Sequence, residues 1–158
     1  MRKRIIEQAI QESPETEHNW LDLEEIAQVE ISSETEGHPI EAALVAESCG
    51  PSWLAAVAGE QTIRLLFDEP QSIKQIRLLF REEHQERTQE FVLRCSQDGG
   101  RTFHDIARQQ YNFSSPDSIR QLETYSVDLD GVTALELCII PDISGGDSRA
   151  SLSELRIA

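Results

Sequence analysis

The segment 89–103, QEFVLRCSQDGGRTF, constrains the fold more than any other part of the chain. Phe91, Leu93 and Cys95 fall on every second position, so a strand through them buries one face and turns Arg94 and Ser96 to the other. Asp98-Gly99-Gly100 then reverses the direction. Glycine adopts positive φ without a Cβ clash, and aspartate bonds its own backbone two residues on, so the segment reads as a hairpin.

The rest of the chain supplies strands to set around it. After apolar anchors at Trp20, Leu21, Leu23 and Ile26, residues 27–32 are the expected first strand, with 32–39 as its exit loop. Residues 40–61, broken at Gly50-Pro51, read as a structured loop with a helical turn. TIRLLF (62–67) and SIKQIRLLF (72–80) are branched and apolar throughout and are expected as two core strands divided at Glu69-Pro70-Gln71. The second arm of the hairpin should run to about Ala107, followed by a loop, RQQYNFSSPDS, and a strand over 120–128. Asp130-Gly131 marks a further turn. In 134–141, Leu135, Leu137 and Ile139 face one side while Cys138 and Ile140 face the other, the pattern of a strand buried on both faces. A last strand is expected at 151–157. Short strands with turn signals between them imply an all-β antiparallel sandwich or barrel. Upstream, Ile5, Ile6, Ala9 and Ile10 recur at helical spacing and SPETEHN is a polar linker, giving 1–19 as N-terminal helix and linker and 20–158 as the compact domain.

With 158 residues, 39% of them apolar, the chain has material for one core. Its formal net charge of −15 argues against nucleic acid or an anionic membrane as partner and favours a neutral or basic one. No apolar run is long enough to span a bilayer, and MRKRIIEQAIQE has no continuous apolar stretch after its basic residues, so a cytoplasmic location is expected. Cys49, Cys95 and Cys138 lack metal-ligand spacing and read as buried, reduced thiols. His18, His38, His84 and His104 share no discernible site, Ser114 and Ser115 sit in no nucleophile elbow, and no acid–base pair stands out. The expectation is a protein without catalytic residues or cofactor, and not an enzyme.

The order ISSE, a loop ending in PSW, then QTIRLLFDEPQSIKQIRLLF, RTQEFVLRCSQDGG, LELCIIP and SLSELRIA resembles the discoidin, or coagulation factor type C, family of the galactose-binding-like superfamily. That resemblance covers roughly 26–158 and implies a jelly-roll sandwich whose members bind sugars, phospholipid head groups or proteins. It also bears on metal. Many members hold a structural calcium with an acidic pair in the early loop and a glutamate near the C-terminus. Glu154 matches the glutamate, but Val45 and Ala46 stand where the pair would fall, so no metal is expected. Ser96, Asp98, Gly100, Thr102 and Phe103 also resemble the Asp-box of sialidase propellers. One copy makes no propeller, and Ser96 and Asp98 are read as acceptors that stabilise the turn.

If successive strands alternate in direction, the turns near Glu69, Asp98 and Asp130 fall at one end of the sandwich and the longer connections at the other. That second end is the expected recognition face, with Trp53, Arg87, Tyr111, Asn112, Phe113 and Arg149 as its ligand-binding residues and His84 nearby. Aromatic rings stack on sugar faces, while Arg and Asn donate to hydroxyls, so the chemistry suits a carbohydrate ligand, with a protein ligand as the alternative. Each residue also has a structural reading. Trp53 beside Leu54, Ala55 and Val57 would plug the core, either ring of the Tyr111–Phe113 pair would anchor its loop, and Arg87 and Arg149 would pair with carboxylates.

Overall fold

The computed structural model describes residues 20–45 and 51–158; the expected N-terminal helix and linker, His18, Ala46 and Cys49 lie outside them. In chain order the elements are a helical turn α1 (Leu23–Ile26), β1 (Ala27–Ile31), a second turn α2 (Glu41–Leu44), β2 (Trp53–Leu54), β3 (Gln61–Arg81), β4 (Arg87–Ser96), β5 (His104–Phe113), β6 (Arg120–Ile140), β7 (Ser151–Leu152) and β8 (Glu154–Ile157). The antiparallel order is β1-β3-β6-β4-β5, with β8 on the second half of β3 and β2 paired to β7.

The long ribbon of β3 and β6 makes the sandwich. Its two strands stay paired from Gln61↔Ile139 to Arg81↔Arg120, with register irregularities between Leu66 and Gln75. The two separate strands and the reversing turn at Asp130-Gly131 expected from sequence are thus bends within continuous strands. The cause is local. Pro70 has no N–H for the ladder and Gly131 sits at φ +67°, so the ribbon kinks and twists there without ending. Folded over at this kink, its halves bury facing sides: Ile63 and Leu65 from the first, Ile73, Ile76, Leu78 and Phe80 from the second. Phe80 stacks on Phe91 of β4 with ring centroids 5.3 Å apart, which joins the two layers into the expected antiparallel β-sandwich. Each such side chain, fully removed from water, contributes about 1.5–3 kcal/mol.

The outer face of the larger sheet carries a row of alternating charge. Glu30, Arg64, Glu136, Arg94 and Asp105 are cross-strand neighbours on β1, β3, β6, β4 and β5. Arg64 bonds Glu30 (2.9 Å) and Glu136 (2.7 Å), and Arg94 reaches Asp105 (3.0 Å) and Glu136 (3.7 Å). This row explains how Glu136 is buried on a strand covered from both sides.

β5 extends to Phe113, where a loop was expected from residue 108. A bulge at Ile106, between the pairs Leu93↔Ala107 and Arg94↔Asp105, shifts the alternation, so Gln109, Tyr111 and Phe113 lie opposite Phe91, Gln89 and Arg87. The polar RQQ conceals this in the sequence. At the other end of the hairpin Gly99 and Gly100 have φ +77° and +92°. The Ser96 hydroxyl donates to Asp98 Oδ1 (2.7 Å) and accepts from Gly100 N (2.9 Å), while Asp98 accepts from the Thr102 hydroxyl (2.6 Å) and the amides of Thr102 and Arg101. Both residues are turn-stabilising acceptors.

These bonds, the Thr102 hydroxyl foremost, hold the Asp98 carboxyl far below the ordinary carboxylate range. A depressed folded pKa contributes stability that is complete above the unfolded value, about 4, and is lost as pH falls toward the folded one. The stability difference between wild type and Asp98→Asn, read from melting curves, should therefore be constant above about pH 5 and shrink below about pH 4. A difference independent of pH would show that the charge plays no part in the turn.

Candidate functional site

Because the β3–β6 ribbon folds over, its two extremities come to the same end of the sandwich. There the Glu82 amide donates to Ile119 O (2.9 Å), the Ile143 amide to Thr88 O (2.8 Å), and the Gly59 amide to Ser148 O (3.3 Å). The Ser148 hydroxyl reaches Gln85 (3.0 Å). The opposite end holds the kink and the hairpin turn, tied by Gln97 Nε2 to Asp130 O and by the Gly99 amide to the Thr133 hydroxyl. Trp53, Arg87, Tyr111, Asn112, Phe113 and Arg149 all belong to the loop end, yet they do not form one surface.

Trp53 is 0% exposed, and its indole N–H donates to Ser33 O at 3.1 Å; it plugs the core and presents no ring face to a ligand. Phe113 is buried too, with Tyr111 packed edge-on against it at 4.9 Å. Arg87, 4% exposed, lies over the Phe113 ring at 4.8 Å. It bonds Glu82 through Nε (2.7 Å) and donates through Nη1 to Pro141 O (2.7 Å) and Gln89 (3.3 Å). Gln89 in turn donates to Gln121 (3.1 Å), so this end of the core is closed by a buried polar network. Burial opposes the charge on Glu82, but Arg87 and the amides of His84 and Gln85 outweigh it and hold the carboxyl below its ordinary value. Arg87 therefore works as the anchor of the loop 82–86. Asn112 is exposed and accepts from the Thr88 hydroxyl (2.6 Å).

Two depressions open at this end. One, about 360 Å³, is lined by Glu86, Thr88, Asn112, Ser114, Asp142 and Ser144 over Arg87 and Phe113. The other, about 470 Å³, lies among His38, Ser52, Arg81, Glu83, His84 and Arg149, with Trp53 among its lining residues. In the larger cleft the His38 ring nitrogen Nδ1 faces Ser52 O at 3.0 Å; a carbonyl only accepts, so Nδ1 is the donor and Nε2 of the neutral ring remains an acceptor. Arg149 is oriented by long bonds from Nη1 to Thr35 Oγ1 (3.4 Å) and Ala55 O (3.5 Å), which leave its other nitrogens available. The cleft can thus donate and accept hydrogen bonds in fixed directions. His38 and Arg81 were missed by the sequence reading. The only signal for Arg81 was its place as the outward residue ending the SIKQIRLLFR run.

Neither thiol suits nucleophilic attack: Cys95 and Cys138 are free, and burial pushes both thiols up. Nor do the described residues of the early loop, up to Val45, fit calcium. The Arg156 guanidinium already donates to Ala43 O (2.7 Å) and Val45 O (3.5 Å) and pairs with Glu154 (3.6 Å), so the side chain of β8 fills the place a cation would take among these oxygens. Chelator, or added calcium, should leave the melting temperature unchanged. A large loss on chelation, restored by calcium, would contradict this assignment.

No family model matches the chain, and no curated protein matches it. Solved structures do. The family 32 carbohydrate-binding module of C. perfringens NanJ, in complex with galactose, superposes with a TM-score of 0.63 at 14% identity over 87% of this chain and 96% of that one. A pectin-binding carbohydrate-binding module gives 0.61 at 21% over 84% and 90%. The family 32 module of AlyQ, in complex with 4,5-unsaturated mannuronic acid, gives 0.58 at 19% over 89% and 98%. At such identities the likeness establishes the fold, which is the discoidin, galactose-binding-like sandwich of these modules.

Proposed function

We propose that this domain is a non-catalytic carbohydrate-recognition module whose ligand enters the cleft bounded by His38, Ser52, Arg81, His84 and Arg149. The observation that carries this reading is a 470 Å³ cleft at the loop end, with histidine, serine and arginine in its lining, in a fold shared with modules solved on galactose and on an unsaturated mannuronic acid. Sugar hydroxyls need donors and acceptors in fixed directions, and His38, Arg149 and the backbone around Ser52 supply both. A glycan array followed by calorimetry on the best hit tests it. Arg149→Ala should weaken that hit about tenfold or more, the scale of about 1.5–3 kcal/mol for a charged hydrogen bond, with the melting temperature unchanged. Absence of glycan binding at millimolar concentration would end the carbohydrate reading.

A second reading has one observation in its favour. Sugar sites commonly offer an exposed ring for stacking, whereas here Trp53 and Phe113 are buried and Tyr111 is half-buried. The exposed large apolar side chains among the described residues are instead Val57 and Ile143 on loops and Leu122 on β6. A protein ligand of neutral or basic character would use such points together with the acidic surface. An affinity pull-down run beside the array separates the two.

A further inference from the structure

Resting on the carbohydrate reading, we infer that the ligand of this cleft carries a carboxylate, so that the sugar recognised is an acidic one. The argument starts from charge pairing. In a chain of net charge −15, most of the described arginines have a carboxylate beside them. Arg64, Arg77, Arg87, Arg94, Arg108 and Arg156 all have such partners. Among the described residues, Arg81, Arg101, Arg120 and Arg149 form no ion pair. Arg81 and Arg149 line the same cleft, and Arg120 stands directly opposite Arg81 in the β3–β6 register.

Directly opposed residues of an antiparallel pair project to the same face, so Arg81 and Arg120 set like charges side by side, an arrangement that destabilises a sheet. The same sheet shows how the fold resolves that conflict elsewhere. Arg77 and Arg156 are also direct cross-strand partners, and Glu154 Oε1 bridges them at 3.5 and 3.6 Å. Among the described residues none does this for Arg81 and Arg120. Asp117 and Glu83 are close in sequence, but neither pairs with them, and Glu82 is already engaged by Arg87 and two backbone amides. Arg81 lines the cleft and Arg120 stands beside it on the neighbouring strand, so an anion held between these two exposed guanidinium groups is an external one. A planar carboxylate is matched by the guanidinium fork; Arg149 lines the same cleft as a second cation, and of the two carboxylates there Glu82 is engaged by Arg87.

The test uses oligosaccharides in which each carboxylated member is paired with its own methyl ester: galacturonate, mannuronate, glucuronate and sialyllactose, each titrated at low and high salt. For at least one pair the acid should bind tenfold or more tighter than the ester at low salt, with the advantage shrinking at high salt. Arg81→Gln and Arg120→Gln should abolish that advantage, so that acid and ester bind each variant alike. Their melting temperatures should equal or exceed the wild type, because a repulsion has been removed; a marked fall would show that the fold itself uses the two charges and would overturn the proposal. Esters or neutral sugars binding as well as the acids would overturn it while leaving the carbohydrate reading intact. If no sugar of either kind binds, the carbohydrate reading fails and this inference with it.

Discussion

Arg87→Ala should lower the unfolding free energy by about 3–5 kcal/mol, the cost of removing one partner from a buried ion pair. The side chain is nearly inaccessible, and its loss leaves Glu82 without its ion-pair partner and strands the Pro141 carbonyl and the Gln89 amide oxygen while removing the cation from the face of Phe113. Against a typical total of about 5–15 kcal/mol this is a severe change. Urea denaturation would measure it, and Arg87→Lys should recover little, since a single ammonium does not reproduce the fork. The deficit should depend on pH with a defined sign. In the wild type the Glu82 carboxyl is held below its ordinary value near 4.5, so its contribution is complete above that pH and declines below it. Without Arg87 the opposing effect of burial gains, so the gap between wild type and variant should narrow as the solution is acidified through this range. A folded Arg87→Ala protein that loses ligand affinity with less than about 1 kcal/mol of stability would restore Arg87 to the ligand site, because that is below what a broken buried pair costs.

Trp53→Ala should cost a similar amount, about 3–5 kcal/mol, from lost burial together with the cavity left behind. Trp53 belongs to the two-residue strand β2, whose only described strand partner is β7, opposite Leu152. With so short a ladder, the buried indole adds to the backbone bonds that Leu54 makes with Thr35 (2.8 Å) and His38 (3.3 Å). Trp53→Phe keeps the bulk but leaves the Ser33 carbonyl without its donor, a loss of about 1 kcal/mol. Graded destabilisation from Phe to Ala is the expected result of thermal denaturation. Unchanged stability with lost glycan binding would instead make Trp53 a stacking platform.

Much of the fold could be read in the chain because alternation is a local property. Residues 134–140 show a strand covered on both faces, Asp98-Gly99-Gly100 shows the hairpin, and the length of the connections shows which end gathers the loops. Continuity of β3 and β6 could not be read, since Pro70 and Gly131 look the same in a kink as in a reversal; only the partner strand decides. The extent of β5 was hidden by a bulge, which shifts the phase of the pattern by one residue. For the site, residue type misled where burial was the deciding quantity. Arg87 and Trp53 are the right chemistry for a sugar, but a carboxylate five residues upstream claims the first and the core claims the second. The cleft itself draws on His38, Ser52, Arg81 and Arg149, which sequence separation keeps from being seen together.

The row of charge on the outer face has a consequence at its two ends. β1 and β5 are the edges of that sheet, each with one neighbour among the described strands, and the row terminates in Glu30 on one and Asp105 on the other. An unpaired strand edge is a template for another chain, and any second copy docking edge to edge, β1 on β1, β5 on β5 or β1 on β5, would bring carboxylate toward carboxylate. The alternation that binds five strands into one sheet thus also discourages a sixth from a neighbouring molecule, and Glu30→Lys or Asp105→Lys alone, which sets an ammonium on one edge against a carboxylate on the other, should make the protein more prone to self-association at high concentration than the double change, which restores like charge at both edges.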